Sequence, residues 1–569
     1  MKIAAIKLEN FRNYKSSYIH FNGNTLFIGA NDIGKTNLFY AIRLLLDRSI
    51  PEAELDPQES DFHITTKGNQ TKQLTISIKL KDIHEDAVIS RLKGCVNDKR
   101  ECFLVYKAYR EHLTSKLFIG HSKNDVEEIE SRYYLKNIHF KYIESSRDLG
   151  SFIRRERRNL LKISKSNRDD SAKSSDNIQE SDIKTSLNKI NKSIATLSYV
   201  EKATDSLNKE LQELSHHNTG FAVGFEARGV DFSKFLDQLT LGANTSGVRV
   251  GLGGDGRNNQ ILFALWKAKS EIEHDLEDEA IIYCIEEPEA HLHPHQQRKL
   301  ASYLTDKLGG QILTSTHSPH ITSEFDPNRI VRLLEESGET RAASKGCSKC
   351  IEETWAKMGY RMSVIPAEAF FSDGVFLVEG PSEVLFYKAL AEKIDIDLDF
   401  FNLCLLPIGG VDFRVYINIL DAMEIPWVMR TDNDVTKVPY SSPAKYRFSG
   451  LNRALKLASE TEYEDDDTIN HPSLLSAEHE KESKLLNPMG IYVAKVDLET
   501  DLVEALPEII VKLTNAKDKA GAIKWLQYRK AIRMGEFLAT HSNSLSSLAD
   551  DDLAKPLKCL VSLSAGRRN

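Results

Sequence analysis

Long apolar runs are missing from this chain of 569 residues. None approaches the roughly 18 apolar residues that span a bilayer, so no membrane helix is expected. The start, Met1-Lys2-Ile3-Ala4-Ala5-Ile6-Lys7, turns charged too soon for a secretory signal. Cysteine is sparse, seven in all at scattered positions. That excludes a disulfide framework and points to a reducing cytoplasm. Cys347-Ser348-Lys349-Cys350 stands alone, without the second pair that a structural zinc needs. No H-E-x-x-H occurs, so His291, His293 and His295 read as surface or packing histidines. An excess of positive charge is lacking too, since the net charge is −8. Contact with nucleic acid must therefore come from local basic patches and bound metal. No region reads as a DNA-gate domain with a tyrosine nucleophile, which argues against a strand-passing enzyme.

Two signatures of phosphate chemistry are present. The first is Gly29-Ala30-Asn31-Asp32-Ile33-Gly34-Lys35-Thr36, a complete G-x-x-x-x-G-K-T loop between an apolar strand and a helix. Such a unit turns backbone N–H groups and a helix N-terminus towards phosphate oxygens. Lys35 is expected to reach the β- and γ-phosphates of ATP and Thr36 to ligate its Mg²⁺. The partner element is Ile281-Ile282-Tyr283-Cys284-Ile285-Glu286-Glu287, an apolar strand ending in two acids. Glu286 is expected to hold the Mg²⁺ shell and Glu287 to orient the attacking water. Glu286 stands where Asp is more usual. His317, at the end of Leu313-Thr314-Ser315-Thr316, is placed to sense the γ-phosphate. Leu252-Gly253-Gly254-Asp255-Gly256-Arg257 is a glycine turn opening a helix, without a full L-S-G-G-Q.

The second signature is Val378-Glu379-Gly380-Pro381-Ser382-Glu383, followed by Asp432-Asn433-Asp434. Glu379 follows an apolar strand, and Asp432 and Asp434 follow another, Ile425-Pro426-Trp427-Val428-Met429. Alternation along an extended chain predicts both aspartates on one side. Three hard oxygen ligands at converging strand ends suit Mg²⁺ or Mn²⁺. Leu406-Pro407-Ile408-Gly409-Gly410 supplies a glycine turn between them. The acids of Val496-Asp497-Leu498-Glu499-Thr500-Asp501-Leu502 are candidates to complete a second metal site. Lys530, in Trp525-Leu526-Gln527-Tyr528-Arg529-Lys530, is a candidate cation for transition-state charge.

The length suits about three or four domains. Residues 1–150 open with strands at Ile3–Leu8 and Asn24–Ile28, then a helix at Thr36–Asp47. Alternating Leu74, Ile76, Ile78 and Leu80, then Phe103, Val105 and Tyr106, predict further strands. Residues 163–180, rich in Ser, Lys, Asp and Asn, read as an exposed linker. From Ile183 to Leu214, apolar residues recur at three and four. That predicts an amphipathic helical segment whose apolar face meets another subunit. Residues 221–345 return to ATPase-like elements, and Ser337–Lys349 reads as a boundary. Arg154-Arg155-Glu156-Arg157-Arg158 reads as a solvated helix face, and Glu464-Asp465-Asp466-Asp467 as an exposed loop.

The nucleotide elements resemble ABC-type ATPases of the SMC and RecF kind. Asn10-Phe11-Arg12-Asn13-Tyr14 matches their N-terminal strand signature, whose Arg contacts phosphate. The order E-G-x-S-E, G-G, D-x-D resembles the Toprim domain. Together they resemble the OLD (overcoming lysogenization defect) family of nucleases, and within it the nuclease subunits of Gabija anti-phage systems. The resemblance implies an α/β chain: an ABC-type ATPase domain over 1–150 and 221–345, a helical dimerisation insertion over 151–220, and a Toprim endonuclease domain over 346–569. It implies nucleotide contacts at Arg12, Asn31, Gly34, Lys35, Thr36, Asn37, Glu286 and His317. It implies metal ligands at Glu379, Glu383, Asp432, Asp434 and Asp497, with Lys530 as the catalytic cation. It implies a nuclease that nicks or cuts duplex DNA with Mg²⁺ or Mn²⁺ and is restrained by bound ATP. Assembly as a dimer or dimer of dimers and a UvrD-like helicase partner are implied as well. The rival reading is a RecF- or SMC-like repair ATPase with a structural Toprim domain. The clustered acids weigh against it, because they repel one another unless metal binds.

Overall fold

Continuous apolar runs mark the central strands of this protein. Thr25–Ile28 and Gly374–Val378 are buried at every position, as strands covered on both faces must be. A computed structural model describes the chain except residues 66–67, 93, 145–148, 215–242, 246–247, 251–260, 267, 269–279, 347–363, 411, 441, 443–445, 464–471 and 566–569.

Three larger sheets organise the described residues, beside two two-stranded ones. The first is antiparallel, in the order Tyr14–His20, Lys2–Phe11, Gln73–Lys81, Cys102–Tyr109, Thr114–Ser122, Asp125–Ile129. Leu74, Ile76, Ile78 and Leu80 point into its core, as their alternation predicts. The second sheet runs Glu339–Ala342, Ile330–Glu336, Thr25–Ile28, Gln311–Ser315, Ala280–Glu286, Ile138–Ile143. All its pairings are parallel except the Glu339–Ala342 edge. Gln311 ties the two sheets: its amide accepts from Ile3 N at 2.7 Å and donates to Ile3 O at 3.0 Å.

The third sheet is fully parallel, in the order Leu403–Pro407, Gly374–Val378, Trp427–Thr431, Ile491–Val493. The chain leaves Gly374–Val378 to build one neighbour and returns to build the other. That reversal opens a crevice at the carboxyl ends of the two adjacent strands Gly374–Val378 and Trp427–Thr431. One apolar core runs from the second sheet into the third: Leu26, Ile28, Ile321 and Ile330 pack in the same cluster as Val375, Leu377 and Met429.

Two expectations from the sequence are corrected. Residues 163–180 are helical except at 167–169, within Leu149–Ser166 and Asp170–Ala195. The stretch contains neither Gly nor Pro. Asp169 caps the second helix by accepting from Ala172 N at 2.7 Å, which satisfies one of its open donors. The helical segment breaks once, between Asp170–Ala195 and Ser198–Leu214. Ser337–Lys349 does not simply divide the chain. Ser337 and Gly338 both have positive φ, at 54° and 80°. They turn the chain back so that Glu339–Ala342 pairs with Ile330–Glu336. Among the described residues no helix is long and apolar enough to cross a membrane.

Candidate active site

The glycine loop joins Thr25–Ile28 to the helix Lys35–Leu46. Gly34 has φ 103°, and a Cβ there would stand 2.1 Å from Asn13 Nδ2. Only glycine allows that approach. Asn13 Nδ2 donates to Ile33 O at 2.8 Å, and Tyr14 OH donates to Gly34 O at 2.9 Å. The turn of the N-terminal hairpin thus clamps the loop from outside. Arg12 lies beside it, donating to Asp61 Oδ1 at 2.9 Å and to Asn37 Oδ1 at 2.7 Å. Asn37 in turn donates to Asn13 at 2.7 Å.

Lys35 is buried and donates to Gly29 O at 3.0 Å and Ala30 O at 2.8 Å. Burial lowers its pKa, while Glu287 and Glu286 oppose that shift. Thr36 Oγ1 donates to Glu286 Oε2 at 2.7 Å. The other oxygen of Glu286 accepts from Tyr142 OH at 2.5 Å. The two expected Mg²⁺-shell residues are therefore in contact, from positions far apart in sequence. Glu287 has φ 45°, so the strand ends in a left-handed turn. It sits 3.7 Å from His317 Nε2. Burial first, then Lys35, lowers the pKa of His317 and favours its neutral ring. Sequence reasoning gave no role to Glu289. Its Oε1 accepts from Thr316 Oγ1 at 2.7 Å and His317 N at 2.8 Å, fixing the His317 turn. Gly29, Asn31 and His317 line a cleft of about 1210 Å³ whose far wall includes Arg332, Phe371 and Glu424. The glycine turn Gly253–Arg257 and the Cys347–Cys350 pair lie outside the described residues.

The acids of the third sheet gather at the crevice. Glu379 follows Gly374–Val378. Its Oε1 accepts from Thr431 Oγ1 at 2.5 Å, Asp432 N at 2.9 Å and Arg453 Nη1 at 3.1 Å. Burial still raises its carboxyl pKa. Asp432 is buried, its pKa raised by burial against the pull of Arg430 and Lys530. Asp434 departs from the expected alternation, because φ 46° turns its backbone out of the extended form. It rejoins the site through Arg453, whose Nη2 donates to Asp434 Oδ2 at 2.6 Å. Glu383, on the helix Pro381–Lys393, is buried and pushed up to about 7, by burial first and then by Asp432 and Glu499. Asp497 caps the helix Leu498–Ala505. Its oxygens accept from Thr500 N at 2.8 Å and Gln527 Nε2 at 2.7 Å. Lys530 Nζ stands 3.4 Å from Asp432 Oδ2 and 3.2 Å from Glu499 Oε2. Burial opposes its charge, but Glu499 and Asp432 outweigh it and raise its pKa.

One residue here, Arg453, escapes the sequence reading, and Glu499, read only as one of several candidate acids, takes a central place. Glu499 is fully buried at the centre, accepting from Ser382 Oγ at 3.1 Å. Its position in an acid-rich stretch was the available signal. Arg453 lies on the helix Ser449–Leu457, which approaches the D-x-D turn through Gly450. A Cβ at Gly450 would stand 2.1 Å from Asp432 O. Asp501 has a different role: Arg430 pairs with it at 2.7 Å, below the crevice.

A divalent ion suits these donors: hard oxygens, mostly buried, held at strand ends. Arg453 pairs with Glu379 and Asp434, and Lys530 with Asp432 and Glu499. Among the described residues no three acid, His or Cys side chains converge at metal-binding spacing.

A family model described as AAA ATPase domain matches residues 1–322. Another, described as overcoming lysogenization defect protein-like, TOPRIM domain, matches residues 370–434. Endonuclease GajA of Bacillus cereus (strain VD045) is 26% identical over 584 residues, covering 96% of each chain. The OLD nuclease of Thermus scotoductus (strain ATCC 700910 / SA-01) is 29% identical over 161 residues, 26% of this chain and 30% of that one. The Old nuclease of Escherichia phage P2 is 22% identical over 435 residues, 72% of this chain and 73% of that one.

Proposed function

The chain belongs to the AAA ATPase domain family and carries an OLD-like Toprim domain, and on that premise we propose that it is a divalent-metal-dependent DNA endonuclease restrained by ATP. It is an ATPase-linked nuclease of the OLD family, with an ABC-type ATPase fold ahead of the Toprim unit. The substrate, the ion and the control belong to our reading.

One observation carries it. Glu379 and Asp432 stand at the carboxyl ends of adjacent parallel strands, with Lys530 Nζ 3.4 Å from Asp432 Oδ2. Glu379, Glu383, Asp432, Asp434 and Asp497 would hold Mg²⁺ or Mn²⁺, two ions at full occupancy. Such ions, when bound, activate a water nucleophile and stabilise the leaving oxygen of a phosphodiester. Lys530 keeps a positive charge beside these acids, where it can neutralise charge developing on the phosphate. The burial of Glu379 and Asp432 strengthens every such interaction.

In the ATPase half, Lys35, Thr36 and Glu286 would hold ATP with its Mg²⁺, with Glu287 and His317 at the γ-phosphate end. Duplex DNA is the substrate of this reading. The exposed apolar residues of the 170–214 helices supply a contact between copies of the chain. The OLD–Gabija resemblance adds a UvrD-like helicase subunit and a role in anti-phage defence.

The test is nicking of supercoiled plasmid with Mg²⁺ or Mn²⁺, with and without ATP. We expect metal-dependent nicking that ATP suppresses. A parent protein inert under every condition would remove the nuclease reading and favour a repair ATPase with a structural Toprim domain.

A further inference from the structure

Between the helices Lys519–Gln527 and Lys530–His541, four successive residues divide sharply in what they touch. Gln527 donates to Asp497 Oδ2 at 2.7 Å, and Lys530 stands 3.2 Å from Glu499 and 3.4 Å from Asp432. The two residues between them are exposed. Arg529 adopts a left-handed conformation, φ 58° and ψ 51°. L-residues rarely take it unless the surroundings impose it. Here the two flanking side chains are anchored on the acid cluster, so the turn sets Tyr528 and Arg529 at its rim.

Tyr528 is 61% exposed, and Ile532, four residues further on, is 57% exposed. The Arg529 guanidinium lies 5.5 Å from the centre of the Tyr528 ring. Beneath them the turn is held in place: Arg533 covers the half-buried Trp525 at 4.4 Å, and Leu526 and Met534 are buried. An anchored, exposed ring with a cation on one side and Lys530 two residues away fits one kind of ligand. That ligand has flat aromatic faces joined by anions.

We propose that Tyr528, with Arg529 and Ile532, is a stacking platform for an unstacked base of the DNA strand whose phosphate lies at the acid cluster. This rests on the nuclease reading and deepens it by naming the substrate class. Stacking is sequence-tolerant, because every base offers a π face, and arginine adds a cation–π contribution. Phosphates flanking the base would meet Arg529 and Lys530. The preferred substrate is then DNA with an unpaired base near the cut: gapped, mismatched or frayed duplex rather than intact duplex.

The experiment places 2-aminopurine at an unpaired position in duplex DNA and titrates the full-length protein in Ca²⁺ buffer. Stacking quenches the probe. We expect the parent to quench it and Tyr528→Ala to lose the quench, with about tenfold weaker binding. Tyr528→Trp should retain both, and circular dichroism should show all three proteins folded. Parent-like quenching by Tyr528→Ala overturns the proposal. So does a fall in sedimentation mass for that variant, which would make the patch a contact between copies. Plasmid nicking by the parent, run alongside in Mg²⁺, separates the two readings. Tyr528-dependent quenching without nicking rejects the nuclease alone. Nicking with Tyr528-independent binding rejects the platform alone, and neither signal rejects both.

Discussion

Arg453 Nη1 lies 3.1 Å from Glu379 Oε1, and the same guanidinium holds Asp434 at 2.6 Å. One cation thus bridges two acids assigned to metal. Removing a partner from a mostly buried charged group costs about 1–3 kcal/mol. Arg453→Ala should therefore lower stability by about that much in EDTA. The two acids can be satisfied by a divalent ion instead, so Mn²⁺ should narrow the gap between variant and parent. Thermal melts of both proteins in EDTA and in Mn²⁺ check this. An equal gap in both buffers would mean that Arg453 does not share its acids with metal.

Glu379 and Asp432 should be required for cutting and dispensable for folding. Glu379→Ala removes a carboxylate whose burial already disfavours its charge, and losing the hydrogen bonds it accepts should cost about 1–3 kcal/mol without unfolding the chain. Asp432→Ala should behave alike. Plasmid nicking should fall below detection in both, with unchanged circular dichroism. Full activity in Glu379→Ala would remove the metal assignment.

The parts legible in sequence were those encoded by local spacing. The glycine loop, the acids at the end of Ala280–Glu286, and Glu379 after Gly374–Val378 each follow an apolar strand, and strand ends are where such sheets place chemistry. Arg453 was not legible in the same way. Arg453 enters the site because Gly450 lets its helix lie against Asp432 O, a close approach that residue spacing does not encode. Asp434 was misplaced because alternation assumes extended backbone, and its φ is 46°. Residues 163–180 were misread because polar composition outweighed the absence of Gly and Pro. An exposed helix needs no apolar run, only capping and tolerable propensity.

The 170–214 helices leave apolar side chains in solvent. Ile183, Ile190 and Leu207 are 37%, 52% and 45% exposed, while Leu187 and Ile194 are half-buried. If this face joins two copies of the chain, Leu187→Asp with Ile194→Asp would bury unpaired charge at several kcal/mol each. Light scattering should then report a smaller particle. An unchanged mass would place the face against the same chain.

If ATP controls the nuclease, a path must join the two halves, and the hydrogen bonds between them can be tested as that path. Arg341 holds both oxygens of Glu424, at 2.9 and 2.6 Å, and Arg332 donates to Glu424 O and Ser372 O. Both arginines lie on the hairpin that borders the glycine loop, where a Cβ at Gly29 would stand 2.7 Å from Leu333 O. A ligand shifts an equilibrium only through differential affinity for its two states. If ATP restrains the nuclease, the ATP-bound loop must favour a hairpin position in which the acid cluster is closed to DNA. Lys35→Ala should weaken ATP binding by a few kcal/mol, as expected for a charge-assisted contact. It should then cut DNA at ATP concentrations that silence the parent. Arg341→Ala should bind ATP like the parent yet escape the restraint, because it breaks the joint and not the site. Free Mg²⁺ must be held constant, since ATP chelates it and would mimic inhibition. With that control, equal ATP inhibition of the parent and Lys35→Ala would reject regulation from this loop. Parent-like inhibition of Arg341→Ala would reject only the path through Glu424.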